Sequence, residues 1–316
     1  MPTHAPSSAR PRPARTQPRA HGAGPLTGPL PILVAAALWG TTGTASSLAP
    51  AGAPAAAVGS AGLALGGLLL FVSTRGAHSL PRRCAHGERW LLLLGAVTVA
   101  GYPVTFYPAV TRSGVAVATV IALGSAPVFA GVLAWVTRQG RPTSRWAYAT
   151  LTAVIGCTVL VLAPALADGT AAIDLTGVAL AALAGLSYSG YSLIAGKLIA
   201  RGHPSGAVMG VMFGAAVLLV LPVLWYGDRQ WLLTLRGATV AGHLAVVTTV
   251  LAYRLFGYGL RHTPAQVATT LTLAEPAVAA ALGVAVLGER LPALSWCGLV
   301  VLGVGLAVLT PTRRRA

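Results

Sequence analysis

The sequence predicts an all-α polytopic membrane protein. Its ten transmembrane helices form two inverted five-helix repeats, with the N- and C-termini both in the cytoplasm. Three observations lead there: a composition too apolar for water, basic residues confined to alternate connections, and an internal repeat with an odd number of spans.

The 316 residues are 55% hydrophobic and only 9% charged, with a mean hydropathy of +0.74. A soluble domain carries roughly 25% charged residues, so this chain has too few to wet a globular surface. A soluble enzyme, a disordered chain and a coiled coil are excluded. At about 20 apolar residues per span there is room for roughly eight to ten transmembrane helices. The net charge of +16 arises from 22 basic residues against six acids. In a soluble chain that would suggest a nucleic-acid partner. Here the basic residues lie between apolar runs, where they set orientation, and no nucleic-acid partner is expected. Cys84 lies in a basic loop, and Cys157 and Cys297 fall in apolar runs. Neither a disulfide framework nor a metal-ligand spacing is visible, so no metal and no cofactor is expected.

Residues 1–28 are Pro- and Arg-rich without apolar period and read as a disordered basic cytoplasmic tail. Arg10, Arg12, Arg15 and Arg19 also resemble the n-region of a signal peptide, with small residues near Ala49–Ala53 for cleavage. The run after them is long enough to span and fits the repeat, which favours retention. Apolar runs follow near 30–49, 53–73, 90–109, 115–137, 146–164, 175–196, 205–226, 237–258, 264–287 and 293–310. The expected organisation is a first repeat over 29–164, a second over 165–310, and a basic cytoplasmic tail at 311–316. Small residues four apart, Gly62/Gly66 and Gly210/Gly214, suit close helix packing.

With the N-terminus inside, the inner segments hold 17 basic residues and the outer ones four: Arg112, Arg229, Arg236 and Arg290. Asp168, Asp174, Asp228 and Glu289 all fall outside. That bias fits ten spans with both ends in the cytoplasm.

FYPAVTRSGVAVATVIALGSAP at 106–127 aligns with FGYGLRHTPAQVATTLTLAEP at 256–276. Phe106 meets Phe256, the triplet Val117-Ala118-Thr119 meets Val267-Ala268-Thr269, and after a one-residue slip Pro127 meets Pro276. Further on, Trp146 meets Trp296. Five spans per copy is odd, so the second copy enters the membrane inverted. Inverted repeats are a mark of secondary transporters, whose sites lie at the repeat interface near mid-membrane.

On these residues the chain resembles an EamA-type member of the drug/metabolite transporter superfamily. The second half reads PAQVATTLTLAEPAVAAALGVAVLGERLPALSWCGLVVLGVGLAVL, close to the pattern that ends each half in that family, Glu289 included. The first half keeps VATVIALGSAPVFAGVLAWV but has TRQGR where Gly-Glu-Arg is expected, and ALWG at 37–40 matches the first helix. The likeness covers about 30–310. It implies a transporter of amino acids, other metabolites or drugs, mostly an exporter, in the bacterial cytoplasmic (inner) membrane.

Glu275 is the only acid within a span. A carboxylate at mid-membrane costs roughly 2.5–3.5 kcal/mol on insertion scales, so it must face the bundle, be protonated or be paired. The expected roles are binding a substrate ammonium, exchanging a proton, or pairing structurally with Arg254. Arg254 is the only basic residue in a span and shares an α-helical face with His243, Val247 and Val250. It either faces the bundle or snorkels to the nearby boundary. Trp39, Thr42 and Ser46 stripe the first helix; Thr98, Tyr102 and Thr105 stripe the third; and Ser187, Tyr188, Tyr191 and Ser192 cluster on the sixth. Of these, Trp39, Thr42, Tyr102, Tyr188 and Tyr191 join Glu275, Arg254 and His243 as the expected substrate and proton pathway. Such rings and hydroxyls offer hydrogen bonds and cation–π faces, although they also serve packing and interface anchoring.

No metalloprotease, serine-hydrolase or phosphate-loop motif is present. The expected activity is export of a small organic metabolite by alternating access in the lipid bilayer, with protons as coupling ion, by a monomer or homodimer. The alternatives are an uncoupled facilitator or importer, a channel, or a membrane-embedded enzyme acting on lipid-linked substrates.

Overall fold

The computed structural model describes residues 27–169, 174–226 and 229–309. Most of the N-terminal tail, the C-terminal tail and Asp228 lie outside the described residues. The described chain is helical and contains no strand. In order come α1 (Pro29–Ser47), α2 (Ala55–Ser73), the one-turn α3 (Leu80–Arg83), α4 (His86–Val136), α5 (Ser144–Ala167), α6 (Leu175–Ala200) and α7 (Ser205–Tyr226). A short 3₁₀ turn, Gln230–Leu233, leads into α8 (Leu235–His243), which continues through a π-helical stretch, Leu244–Leu251, into α9 (Ala252–Gly259). Then come α10 (Ala265–Leu271), α11 (Ala274–Leu287) and α12 (Ala293–Leu309). Among the described residues, seven helical segments are long and apolar enough to cross a membrane, and α12 is a shorter apolar helix.

The apolar runs at 90–109 and 115–137 form two helices with no loop between them; α4 is a 51-residue stretch kinked at Gly114, where the two helices meet. Straight, it would reach about 77 Å at 1.5 Å per residue, far beyond a hydrocarbon core of about 30 Å. Gly114 (φ 77°, ψ 162°) breaks it. Only glycine adopts that conformation without strain, so a single residue replaces a loop.

Packing follows membrane rather than aqueous logic. Ala35, Ala36, Ala126, Ala130 and Ala153 are fully buried, whereas Val72, Leu151, Leu218 and Val300 project outward. Lipid gives helices no hydrophobic reason to associate, so small residues at the contacts let backbones close up. Gly156 of α5 lies against the backbone of Leu302, and Gly298 of α12 against that of Leu160. Gly66 is packed on Thr249, Gly62 on Leu244 and Gly214 on Phe71, so both small-residue pairs serve helix contact.

Hydrogen-bonding side chains hold the ends. Thr143 caps α5 by accepting from the Trp146 N–H at 3.2 Å, and Asp174 caps α6 by accepting from Gly177 at 2.6 Å. Asp174 also lies 3.8 Å from Arg112. At the other end of this first stretch of α4, Glu88 lies 3.3 Å from Arg201. In both pairs the partners come from segments that the charge pattern assigns to the same side.

Candidate substrate cleft

Two departures from regular helix build the interior site. The first is the break between α10 and α11. Pro276 has no N–H to give the Thr272 carbonyl, and its ring crowds that oxygen. The helix tightens there: Thr272 and Leu273 both have ψ of −8°, and the Glu275 N–H takes the Thr272 carbonyl at 3.0 Å. Glu275 therefore stands in the first turn of α11 rather than midway along one helix. Gly40 of α1 lets the two helices meet here, since a Cβ on it would lie 2.9 Å from the Glu275 carbonyl oxygen.

The second is the π-helical stretch before α9. Widening the turn adds a residue and rotates everything after it by about 100° relative to a regular helix. Tyr253 consequently turns inward and Arg254 outward. Regular spacing would have put Arg254 on the face of Val250, which is buried.

The resulting cleft has two adjoining lobes of about 140 and 200 Å³. Both are lined by Trp39 and Thr42 from α1, Tyr102 and Tyr107 from α4, Tyr191 from α6 and Tyr253 from α9. Glu275, Tyr188 and Thr119 line one lobe, and Ser46, Thr248 and Thr249 the other. The rings support one another. Trp39 meets Tyr253 at 4.9 Å, Phe256 at 5.4 Å and the edge of Tyr188 at 6.4 Å. Tyr102 stacks on Phe106 at 5.4 Å, 12° from parallel.

Several of the polar atoms are tied down. The Trp39 Nε1–H donates to the Thr248 carbonyl in the π-helical stretch at 2.8 Å. Tyr188 Oη and Thr272 Oγ1 are 2.7 Å apart, and the Tyr191 and Tyr253 hydroxyls 3.1 Å. Glu275 is different. It is half-buried, and its carboxylate accepts no hydrogen bond and forms no ion pair with any described residue. No Lys or Arg lines either lobe. A lone carboxylate beside several aromatic faces suits a cation better than an anion.

Six of the eight residues singled out in the sequence meet here: Glu275, Trp39, Thr42, Tyr102, Tyr188 and Tyr191. Arg254 does not. Its Nη2 donates to the Ser73 carbonyl at 3.1 Å and to the Ser73 hydroxyl at 2.8 Å, at the exposed end of α2. His243 also lies apart, 2.9 Å from Thr41 Oγ1, beside a separate cavity of about 470 Å³ that includes Arg236. Thr98, Thr105 and Ser192 bond carbonyls of their own helices. Tyr253, Tyr107, Thr119 and Thr248 were missed. For Tyr253 the reason is the extra residue of the π turn, which no regular helical period reveals.

The EamA-like transporter family matches this chain twice, over residues 26–162 and 175–310. The uncharacterized transporter YwfM of Bacillus subtilis is 39% identical over 288 residues, covering 90% of this chain and 94% of that protein. The threonine/homoserine exporter RhtA of Escherichia coli K12 is 29% identical over 90% of each chain. Its counterpart in Salmonella typhimurium LT2 is 28% identical over 87% of this chain and 90% of that one. A solved crystal structure shares the fold with a TM-score of 0.71 at 19% identity, covering 90% of this chain and 97% of the other. Together with the apolar helices, these relatives make this a multi-pass cell-membrane protein.

Proposed function

The chain belongs to the EamA-like transporter family, and from that premise we propose that it exports a small amine-bearing metabolite across the bacterial cytoplasmic membrane by proton-coupled alternating access. The carrying observation is the Glu275 carboxylate, set without a described partner in a cleft of aromatic rings. A substrate ammonium would pair with the carboxylate and lie against Trp39 and Tyr253, each cation–π contact being worth about 0.5–2 kcal/mol. The tyrosine and threonine hydroxyls would serve the substrate's other polar groups. The exporters among the relatives support an amino-acid-like solute.

Ten spans follow if α4 is counted as two, divided at Gly114, if α8 with α9 and α10 with α11 are each counted as one, and if α1 and α12 are included. The family match falls twice, on five of these spans each time, so the second copy would be inverted. A discontinuous helix such as α10–α11 at the repeat interface is the usual setting of such a site. The repeats would rock about the cleft, and Glu275 would hold either a proton or the substrate cation. Exclusion of one by the other couples the two fluxes. No chemical step on the substrate is assigned.

The test is uptake of labelled threonine, homoserine and cationic drugs into everted vesicles, with and without an imposed proton gradient, by wild type and Glu275→Gln. Saturable, gradient-dependent uptake that the variant lacks is the expected result. Full activity in the variant would remove Glu275 from the mechanism, and uptake indifferent to the gradient would make the protein a facilitator.

A further inference from the structure

We propose that Cys84, Glu88 and His203 form a binding site for a zinc-like divalent transition metal, on the side of the membrane that the charge pattern assigns to the cytoplasm. The three donor atoms lie within 4.8 Å of one another. His203 Nε2 is 3.9 Å from Cys84 Sγ and 3.1 Å from Glu88 Oε2. A tetrahedral zinc with ordinary bond lengths places sulfur and nitrogen about 3.6 Å apart and nitrogen and oxygen about 3.4 Å apart. Those two distances need shifts of only a few tenths of an ångström, while sulfur and carboxylate, within 4.8 Å, must come to about 3.6 Å for the site to close around an ion.

The donors are already positioned by their backbones. Cys84 follows the single turn of α3, its N–H donating to Leu80 at 3.1 Å and its carbonyl accepting from Arg89 Nε at 3.2 Å. Glu88 is fixed by the Ala85 N–H, which donates to Oε2 at 3.1 Å, and by Arg201, which holds Oε1 at 3.3 Å. Oε2 keeps lone-pair capacity for a metal. His203 stands in the tight turn between α6 and α7, between Gly202 (φ 95°) and Pro204.

Thiolate, imidazole and carboxylate make a mixed donor set that zinc accepts, with a fourth position left for water. Cys84 is only 4% exposed, while the Glu88 and His203 side chains are 15% and 18% exposed. The soft ligand is thus shielded and a small ion can enter from the other two. A bound metal would tie the turn before α4 to the turn between α6 and α7. No spacing motif announces the site, because His203 is 115 residues from Glu88.

The experiment uses tag-free, full-length, reduced protein in detergent, stripped with a chelator and dialysed. Zinc is titrated in competition with a chromophoric chelator, and cobalt(II) is added to a parallel sample. Wild type is expected to bind zinc with a Kd tighter than on the order of 10 μM, and its cobalt adduct to show thiolate-to-metal charge-transfer absorption. Cys84→Ser should abolish that absorption and weaken zinc at least about tenfold. His203→Gln should weaken zinc yet keep a sulfur-to-cobalt band, and Cys297→Ser should leave binding and absorption unchanged. Absence of zinc binding in that range by wild type would overturn the proposal. So would equal affinity in Cys84→Ser, or loss of the absorption in Cys297→Ser. None of these readings depends on transport, so their failure is separate from failure of the transport reading.

Discussion

Glu275 and Arg254 are the two charges that the sequence places inside apolar spans, and the fold treats them in opposite ways. Arg254 reaches the exposed end of α2 and donates two hydrogen bonds to Ser73. Its long aliphatic stem lets the guanidinium escape the apolar zone. Glu275 has a short stem and stands where α11 begins, facing a cleft and bonded to no described side chain. A charge kept for structure is satisfied by its surroundings. A charge held in a cavity without a partner leaves its interaction energy for something that arrives. The backbone makes the distinction: a π turn rotates Arg254 out, and a proline break turns Glu275 toward the cavity.

The largest expected effect is at the acid. Glu275→Gln removes the proton-carrying group and a charge-assisted contact of about 1.5–3 kcal/mol, so gradient-dependent uptake in everted vesicles should be lost and substrate binding weakened by about tenfold to a hundredfold. Next comes Trp39. Trp39→Ala removes the ring beside Tyr253 and Phe256, and KM should rise by about tenfold. Trp39→Phe retains a π face but loses the bond to Thr248, so its transport should fall between those of wild type and Trp39→Ala. Smaller still is Tyr188→Phe, which deletes the 2.7 Å contact with Thr272 beside the helix break. Thr272 keeps its bond to the Thr269 carbonyl, so the loss should be about 1 kcal/mol, or roughly fivefold in transport. The smallest effect belongs to Arg254→Ala, whose initial rates should stay within about twofold of wild type, as for an ordinary surface substitution. If Arg254→Ala instead matched Glu275→Gln, the contrast between the two charges would collapse.

Much of this molecule was legible in advance. Low charge, alternating loop arginines and runs of membrane length identify a polytopic helical protein, and a lone acid in a span identifies Glu275. The last apolar helix was also legible, as the run at 293–310, but the α10–α11 break was not, since 264–287 reads as one apolar run. The break between the runs at 90–109 and 115–137 was legible too, but not that a single residue, Gly114 with φ of 77°, stands in for the loop. The inward turn of Tyr253 was equally hidden, because a regular period assumes every turn has the same width.

The sequence by itself determined that the chain lives in a membrane, which family it resembles, and which rare residues stand out against an apolar background. Those properties are sums over composition and local period, and they survive ignorance of geometry. Only the tertiary structure decided that six of eight singled-out residues meet in one cleft, that Arg254 and His243 do not, and that Cys84, Glu88 and His203 converge from distant turns. Those outcomes depend on helix rotation and on contacts between remote segments. One extra residue in a turn changes which side chain faces inward, while composition stays the same.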